Sequence, residues 1–140
     1  MTDRSLDPLS LRKKKILIMD DDEGIRMLAK EMLHELGHEA HFATNGNEAI
    51  ELFQSTRNSK EPFDLLVLDL KVSKGMGGEE TIRKLLEIDS SVKAIVSSGY
   101  LEDPITNSYE SFGFKGVLLK PYEFNEMIQM LSNVFEKTDR

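Results

Sequence analysis

The stretch that decides the fold is ILIMDDDEGIR, residues 16–26, in which four apolar residues are followed at once by three aspartates. A short apolar run of this kind is typical of a fully buried strand. From Ile25 to Leu36 the apolar residues recur at steps of three and four, which predicts an amphipathic helix ended by Gly37. A buried strand followed directly by a helix is the repeating unit of parallel sheets.

The same pattern of strand and helix recurs four more times along the chain. The predicted strands span residues 15–19, 39–42, 64–68, 92–97 and 116–119. The second alternates in polarity and is expected at an edge of the sheet, whereas the others are nearly continuous Ile, Leu and Val. Asn45 followed by Glu48 predicts the start of the second helix. Residues 103–112 are predicted to form the fourth helix, which has the weakest apolar face. This alternation predicts an α/β fold with helices on both faces of a five-stranded parallel sheet.

Composition and charge limit the classes of function. The chain has 140 residues, 39% hydrophobic and 31% charged, which suits one folded domain. Its net charge of −7 disfavours phosphate backbones, so we expect no direct binding of nucleic acid. The absence of cysteine excludes disulfides, thiolate zinc sites and cysteine nucleophiles. No apolar run approaches the length of a membrane span, so we expect a cytoplasmic protein that does not insert into membranes.

The charge is divided unevenly between the two parts of the chain. Residues 1–13 are predicted to be a leader or linker, because the sequence up to Lys15 has five basic residues, two acidic residues and no regular period. The folded domain is predicted to span residues 14–137. From Ile16 onward there are 13 basic and 23 acidic residues, so the acidity belongs to the domain.

Polar and charged residues follow the predicted strands at their C-terminal ends. They are Asp20, Asp21, Asp22, Asp69, Ser97, Ser98 and Lys120. Parallel strands bring these ends to one edge of the sheet, where ligands bind in open α/β folds. Carboxylates about 4 Å apart repel by roughly 4 kcal/mol per pair at an effective dielectric constant near 20, so a cation is expected among them. An all-oxygen site of this kind favours Mg²⁺.

These groups indicate phosphoryl chemistry. A divalent ion, a lysine and a small hydroxyl residue neutralise the oxygens of a phosphoryl group during transfer. A spare carboxylate among them can accept that group as an acyl phosphate.

Four segments together resemble the receiver domain of bacterial two-component response regulators. They are ILIMDDDEGIR, DLLVLDL, AIVSSGY and GVLLKPY, and they separate Asp21, Asp69, Ser97 and Lys120 by 48, 28 and 23 residues. The resemblance covers about residues 14–136 and implies a flavodoxin-like fold with strand order 2-1-3-4-5. The strings GMGGEE and SSGY are similar to receivers of hybrid histidine kinases, so the chain could be a stand-alone receiver or one cut from such a kinase.

The resemblance also implies a role for each site residue. Asp69 would be the phosphoacceptor, and Asp20 and Asp21 would bind Mg²⁺ together with Asp69 and the backbone carbonyl of Lys71. Ser97 and Lys120 would contact the phosphoryl oxygens. The implied partner is a histidine kinase or a histidine phosphotransfer protein, and a homodimer is compatible with the family. The chain would then be a signalling phosphoacceptor with slow autodephosphorylation and not a classical enzyme.

Three positions depart from the family pattern. Ser73 stands where many relatives have proline, so we expect a more mobile loop through Gly75, Gly77 and Gly78. Val117 occupies the position of an aromatic switch residue, which argues for another route of output. Asp22 is a third acid to which we assign no metal.

Two alternative functions remain open at this point. Asp20 and Asp22 form a D-x-D motif after the first strand, as in phosphatases of the haloacid dehalogenase type, although Gly24 and Ile25 fit that motif poorly. The second alternative is a receiver-shaped interaction module that never carries phosphate.

Overall fold

A five-stranded parallel sheet forms the centre of the computed structural model, which describes residues 12–99 and 103–136. The strands are β1 (Lys15–Met19), β2 (Glu39–Ala43), β3 (Leu65–Asp69), β4 (Ala94–Ser98) and β5 (Val117–Leu119). Their order is β2-β1-β3-β4-β5 and every neighbouring pair is parallel. The predicted flavodoxin-like topology is confirmed, with the second strand at an edge. Residues 1–11 of the expected leader, Tyr100 of the SSGY string and the expected domain end at residue 137 lie outside the described residues.

Five helices connect the strands and cover both faces of the sheet. They are α1 (Glu23–Glu35), α2 (Gly46–Thr56), α3 (Gly78–Ile88), α4 (Pro104–Asn107) and α5 (Phe124–Glu136). Successive strand residues point to opposite faces, so Ile16 and Ile18 pack with α1 and α5, whereas Leu17 and Met19 pack with α2 and α3. The sheet therefore separates two apolar cores that share the same strands.

The prediction of one continuous fourth helix is wrong. The chain forms the single turn of α4, capped by Asp103 through the backbone N–H of Ile105, and then a 3₁₀ helix from Tyr109 to Phe112. Within these two pieces Thr106 is buried and the 3₁₀ helix has no buried residue. A segment that buries so little apolar area lacks the packing that holds longer helices together.

The predicted ends of the longer helices are confirmed in detail. Gly37 follows α1 with a φ of 86°, a left-handed conformation that glycine adopts without steric cost. The Asn45 side chain accepts a hydrogen bond from the backbone N–H of Glu48 at 3.0 Å. The Glu48 carboxylate reaches back to the N–H of Thr44 at 2.7 Å, one residue earlier than in the usual capping box.

No helix within residues 12–99 and 103–136 combines the length and the apolarity needed to cross a lipid bilayer.

Candidate functional site

The register of the sheet brings the predicted site residues to one edge and one face. Ile18 of β1 pairs with Val67 of β3, so Asp20, two residues further on, lies beside Asp69. Asp69 in turn pairs with Ser97 of β4. Neighbouring residues in register share a face of the sheet, and this is the face that α1 and α5 cover.

Three carboxylates form an acidic cluster at this edge. Asp20, Asp21 and Asp69 each offer one oxygen, and these oxygens lie within 4.8 Å of one another. Asp20 is fully buried and Asp69 is only 3% exposed, whereas Asp21 faces solvent. Among the described residues, Asp69 Oδ2 is buried without a hydrogen-bond partner. An unpaired buried carboxylate oxygen is costly, which indicates a site prepared for another group.

Lys120 provides the positive charge that two of these carboxylates share. Its Nζ lies 3.1 Å from Asp69 Oδ1 and 3.3 Å from Asp20 Oδ2. Burial would lower the pKa of Lys120, but the attraction of Asp69 and Asp20 outweighs it, so this pKa is raised and the ammonium stays charged. The Lys120–Pro121 peptide bond is cis.

The carboxyl group of Asp69 is unusual because its pKa is raised from 3.8 to about 6. Burial is the largest cause and the negative charge of Asp20 adds to it, while Lys120 opposes both. Lys120 therefore does not fully compensate the desolvation of Asp69. Near pH 7 the group is still mostly ionised, as a carboxylate nucleophile must be.

The hydroxyl of Ser97 bonds a residue that the sequence analysis did not select. Ser97 is fully buried, and its Oγ lies 2.6 Å from the hydroxyl oxygen of Tyr122. Tyr122 is the third residue of the KPY string, two positions after Lys120, so the motif contained it without showing its contact. Ser98, the next residue of β4, lines a cavity beside Asp69 together with Lys71 and Lys120, so the choice of Ser97 over Ser98 as a phosphoryl contact stays a prediction.

Asp21 is held by the loop that follows β3. The backbone N–H and the Oγ of Ser73 both donate to Asp21 Oδ2, at 2.8 and 2.7 Å. These two bonds lower the pKa of Asp21. A second contact joins this loop to α2, because Met76 O accepts a hydrogen bond from the backbone N–H of Gly46 at 2.7 Å.

Asp22 caps α1 by accepting a hydrogen bond from the backbone N–H of Ile25 at 3.2 Å. Its own N–H donates to Asp20 Oδ1 at 2.9 Å, and the Arg26 side chain donates to the Asp20 carbonyl at 2.7 Å. Asp22 therefore serves the helix and orients Asp20. Arg26 is a supporting residue that the sequence analysis missed.

The acidic cluster fits a divalent metal ion. Its three carboxylates face one ammonium, so the ionised cluster keeps an excess of negative charge that a second cation would offset. Oxygen ligands from only three side chains leave room for the waters that Mg²⁺ retains. The unpaired Asp69 Oδ2 is a further indication that an electrophilic group belongs here.

Comparison with known proteins assigns the family. Residues 16–132 match the family model described as the response regulator receiver domain. The chain belongs to this receiver family. It is 31% identical to sporulation initiation phosphotransferase F of Bacillus subtilis, over 84% of this chain and 90% of that protein. It is 29% identical to the chemotaxis protein CheY of Thermotoga maritima, over 86% of this chain and 97% of that protein.

Solved receiver structures share the fold. The response regulator TrrA of Thermotoga maritima, in complex with Mg²⁺ and beryllofluoride, superposes with a TM-score of 0.74 at 29% identity, covering 87% of this chain and 99% of that one. Receivers are signalling phosphoacceptors of two-component systems, and they bind Mg²⁺ in an acidic pocket at this edge of the sheet. The cluster of Asp20, Asp21 and Asp69 fits that pocket.

Lys71 and Val117 are two further positions of this receiver that the sequence analysis singled out. A surface cavity beside Asp69 is lined by Asp69, Leu70, Lys71, Ser98, Gly99 and Lys120. The Lys71 ammonium points to Asp103 Oδ2 at 3.8 Å. Val117 is half-buried in β5 and pairs with Val96, so the position of the expected aromatic switch holds an aliphatic side chain without a hydroxyl.

Proposed function

We propose that Asp69 accepts a phosphoryl group from the phosphohistidine of a histidine kinase or a histidine phosphotransfer protein. The observation that carries this proposal is the state of the Asp69 carboxylate. One oxygen is paired with Lys120, and the other is buried without a partner in the described part of the chain, next to a cavity at this edge of the sheet.

The transfer is a displacement at phosphorus. A carboxylate oxygen of Asp69 forms the new bond to phosphorus, the bond from phosphorus to the imidazole nitrogen of the donor breaks, and that nitrogen keeps the electron pair. Lys120 is already within reach of Asp69 and pairs with the incoming phosphoryl oxygens. Hydrolysis by water later returns Asp69 to the free carboxylate and releases phosphate.

Asp20, Asp21 and Asp69, with the backbone carbonyl of Lys71, are the ligands that we propose for Mg²⁺. The bound ion supplies positive charge for the carboxylates and the phosphoryl oxygens. Lys120 and the N–H of Asp22 hold the two carboxylate oxygens of Asp20, and Ser73 holds one oxygen of Asp21. These contacts orient the ligands before the ion arrives.

We further infer that the receiver spans residues 14–137 after a linker at residues 1–13, and that it acts in the cytoplasm. The family match over residues 16–132 supports these limits. The acidic balance of the domain supports a protein partner over nucleic acid.

Incubation with Mg²⁺ and acetyl phosphate, followed by intact mass measurement, tests the proposal. We expect one added phosphoryl group, lost with EDTA and in Asp69→Asn. Asp22→Asn is the matched control, because this acid lies in the same run but caps α1, and asparagine caps equally well. Phosphorylation of Asp69→Asn would contradict the site assignment.

The same assay decides between the alternatives. A phosphatase of the haloacid dehalogenase type would turn over small phosphate esters steadily and lose that activity in Asp20→Asn. An interaction module would show no added group while Asp69→Asn still bound its partner. The engagement of Asp22 as the cap of α1 weighs against the D-x-D alternative.

A further inference from the structure

Ser73 occupies one oxygen of the Asp21 carboxylate completely. Its backbone N–H and its Oγ both donate to Asp21 Oδ2, at 2.8 and 2.7 Å. A carboxylate oxygen offers two lone pairs, so two donors use both of them. Asp21 can therefore offer a bound ion only its other oxygen, unless a bond to Ser73 breaks.

The loop that carries Ser73 is itself anchored on the start of α2. Met76 O accepts a hydrogen bond from the backbone N–H of Gly46 at 2.7 Å, and the Asn47 side chain accepts one from the N–H of Met76 at 3.3 Å. These two contacts restrain the loop three residues beyond Ser73. A turn of the Asp21 carboxylate would therefore break its bonds to Ser73, because the loop is not free to move with it.

The other two carboxylates of the cluster are also partly occupied. Asp20 Oδ1 accepts from the N–H of Asp22 at 2.9 Å, and Asp20 Oδ2 accepts from the ammonium of Lys120 at 3.3 Å. Lys120 also bonds Asp69 Oδ1 at 3.1 Å. Each carboxylate of the cluster thus has at least one oxygen engaged in a hydrogen bond, which favours the binding of an ion through single oxygens.

We propose that Ser73 makes the site selective for Mg²⁺ over Ca²⁺ by preventing Asp21 from binding an ion through both of its oxygens. The inference rests on the metal site proposed above. Mg²⁺ requires a near-ideal octahedron and retains several waters, so single carboxylate oxygens suit it. Ca²⁺ takes about six to eight oxygens and can use bidentate carboxylates to reach that number. The occupied Asp21 Oδ2 is therefore a ligand that Ca²⁺ lacks and Mg²⁺ does not need.

The test measures the dissociation constants of Mg²⁺ and Ca²⁺ by calorimetry in the unaltered chain, Ser73→Ala and Ser73→Pro. Ser73→Ala keeps the backbone N–H as a donor, whereas Ser73→Pro removes both donors and introduces the residue that many relatives carry. We expect Ca²⁺ to bind about threefold more tightly to Ser73→Ala and about tenfold more tightly to Ser73→Pro, because each lost bond frees Asp21 Oδ2. Mg²⁺ should bind no more tightly to either variant.

Ser91→Ala is the matched control for the loss of a serine hydroxyl. Ser91 makes the same pair of bonds to Asp89, which is not part of the cluster, so neither affinity should change. An unchanged ratio of the Ca²⁺ and Mg²⁺ constants in both Ser73 variants overturns the proposal. An equal change of both constants also overturns it, because that result would show positioning without selectivity.

A second measurement reads the mode of ligation directly. Infrared difference spectra with ¹³C-labelled aspartate distinguish carboxylates that bind an ion through one oxygen from those that bind through two. Ca²⁺-loaded Ser73→Pro should show a bidentate aspartate band that the Ca²⁺-loaded unaltered chain lacks, and the absence of this difference counts against the proposal. Unaltered Mg²⁺ binding in Asp21→Asn would instead overturn the proposed metal site.

Discussion

The ammonium of Lys120 lies 3.1 Å from Oδ1 of Asp69, which precedes it by 51 residues. The pKa of Asp69 is nevertheless raised to about 6, because burial and the charge of Asp20 outweigh this contact. The site is therefore electrostatically unfavourable in the absence of a metal ion. Perturbed electrostatics of this kind are typical of functional sites, where a bound cation would offset the unfavourable charge.

The first prediction is that Asp69→Asn stabilises the metal-free protein at neutral pH. The folded pKa of Asp69 is raised above its unfolded value of 3.8, so its contribution is most favourable below pH 3.8 and is lost as the pH rises through about 6. Removing the charge should raise the free energy of unfolding by about 1–3 kcal/mol at pH 7.5. Urea denaturation in EDTA measures the difference, which should shrink toward pH 4. Asp22→Asn is the control, and a less stable Asp69→Asn protein would contradict the explanation.

The second prediction concerns His38, whose pH dependence has the opposite sign. Its Nδ1 accepts from the backbone N–H of Lys14 at 3.0 Å, and burial together with the Lys14 charge lowers its pKa while Asp64 opposes them. Neutral His38 stabilises the fold above pH 6.5, and this stability is lost as the pH falls through the lowered pKa. His38→Gln should reduce the decrease in unfolding free energy below pH 6.5. The comparison is made in the Asp69→Asn background, which removes the opposite pH dependence of Asp69. The exposed His34→Gln is the control and should leave that fall unchanged.

The third prediction is that Ser73→Ala raises the pKa of Asp21. The variant removes one of the two hydrogen bonds that lower this pKa and keeps the backbone N–H. Carboxyl ¹³C titration by NMR, without metal, measures the change. Ser91 makes the same pair of bonds to Asp89, so Ser91→Ala should raise the pKa of Asp89 and leave Asp21 unaffected. An unchanged pKa of Asp21 in Ser73→Ala would show that Ser73 does not hold this carboxylate in solution.

The fourth prediction is that Gly46→Ala destabilises the fold where α2 meets α3. A Cβ at this position would lie 1.9 Å from Thr81 Oγ1, far inside contact distance. We expect a loss of about 1–3 kcal/mol in unfolding free energy, the usual cost of overpacking. Adding Thr81→Ala should restore part of it. Gly116→Ala is the control, because its Cβ would meet Ile95 at an ordinary 3.5 Å, and an equal loss there would refute the steric explanation.

The sequence contains strong signals for the strands and for the charged site. The run from Ile16 to Asp22 contains both a buried strand and the acids that follow it. Patterns of this kind, repeated along the chain, predict the parallel sheet and the edge at which the site residues lie. The pairing of Ser97 with Tyr122 has no such signal, because it depends on how the chain turns after Lys120. The split of the fourth helix was missed because a weak apolar face marks low stability without showing where the helix stops.

The two faces of the sheet have different roles, because one carries the site residues and the other carries apolar core residues. Asp20, Asp69 and Ser97 share their face with α1 and α5, whereas Leu66, Leu68 and Val96 belong to the half beneath α2 and α3. Thermal tolerance can therefore be engineered by repacking the second half, with the phosphate chemistry left intact. Natural selection could likewise change the stability of this receiver with little effect on its signalling.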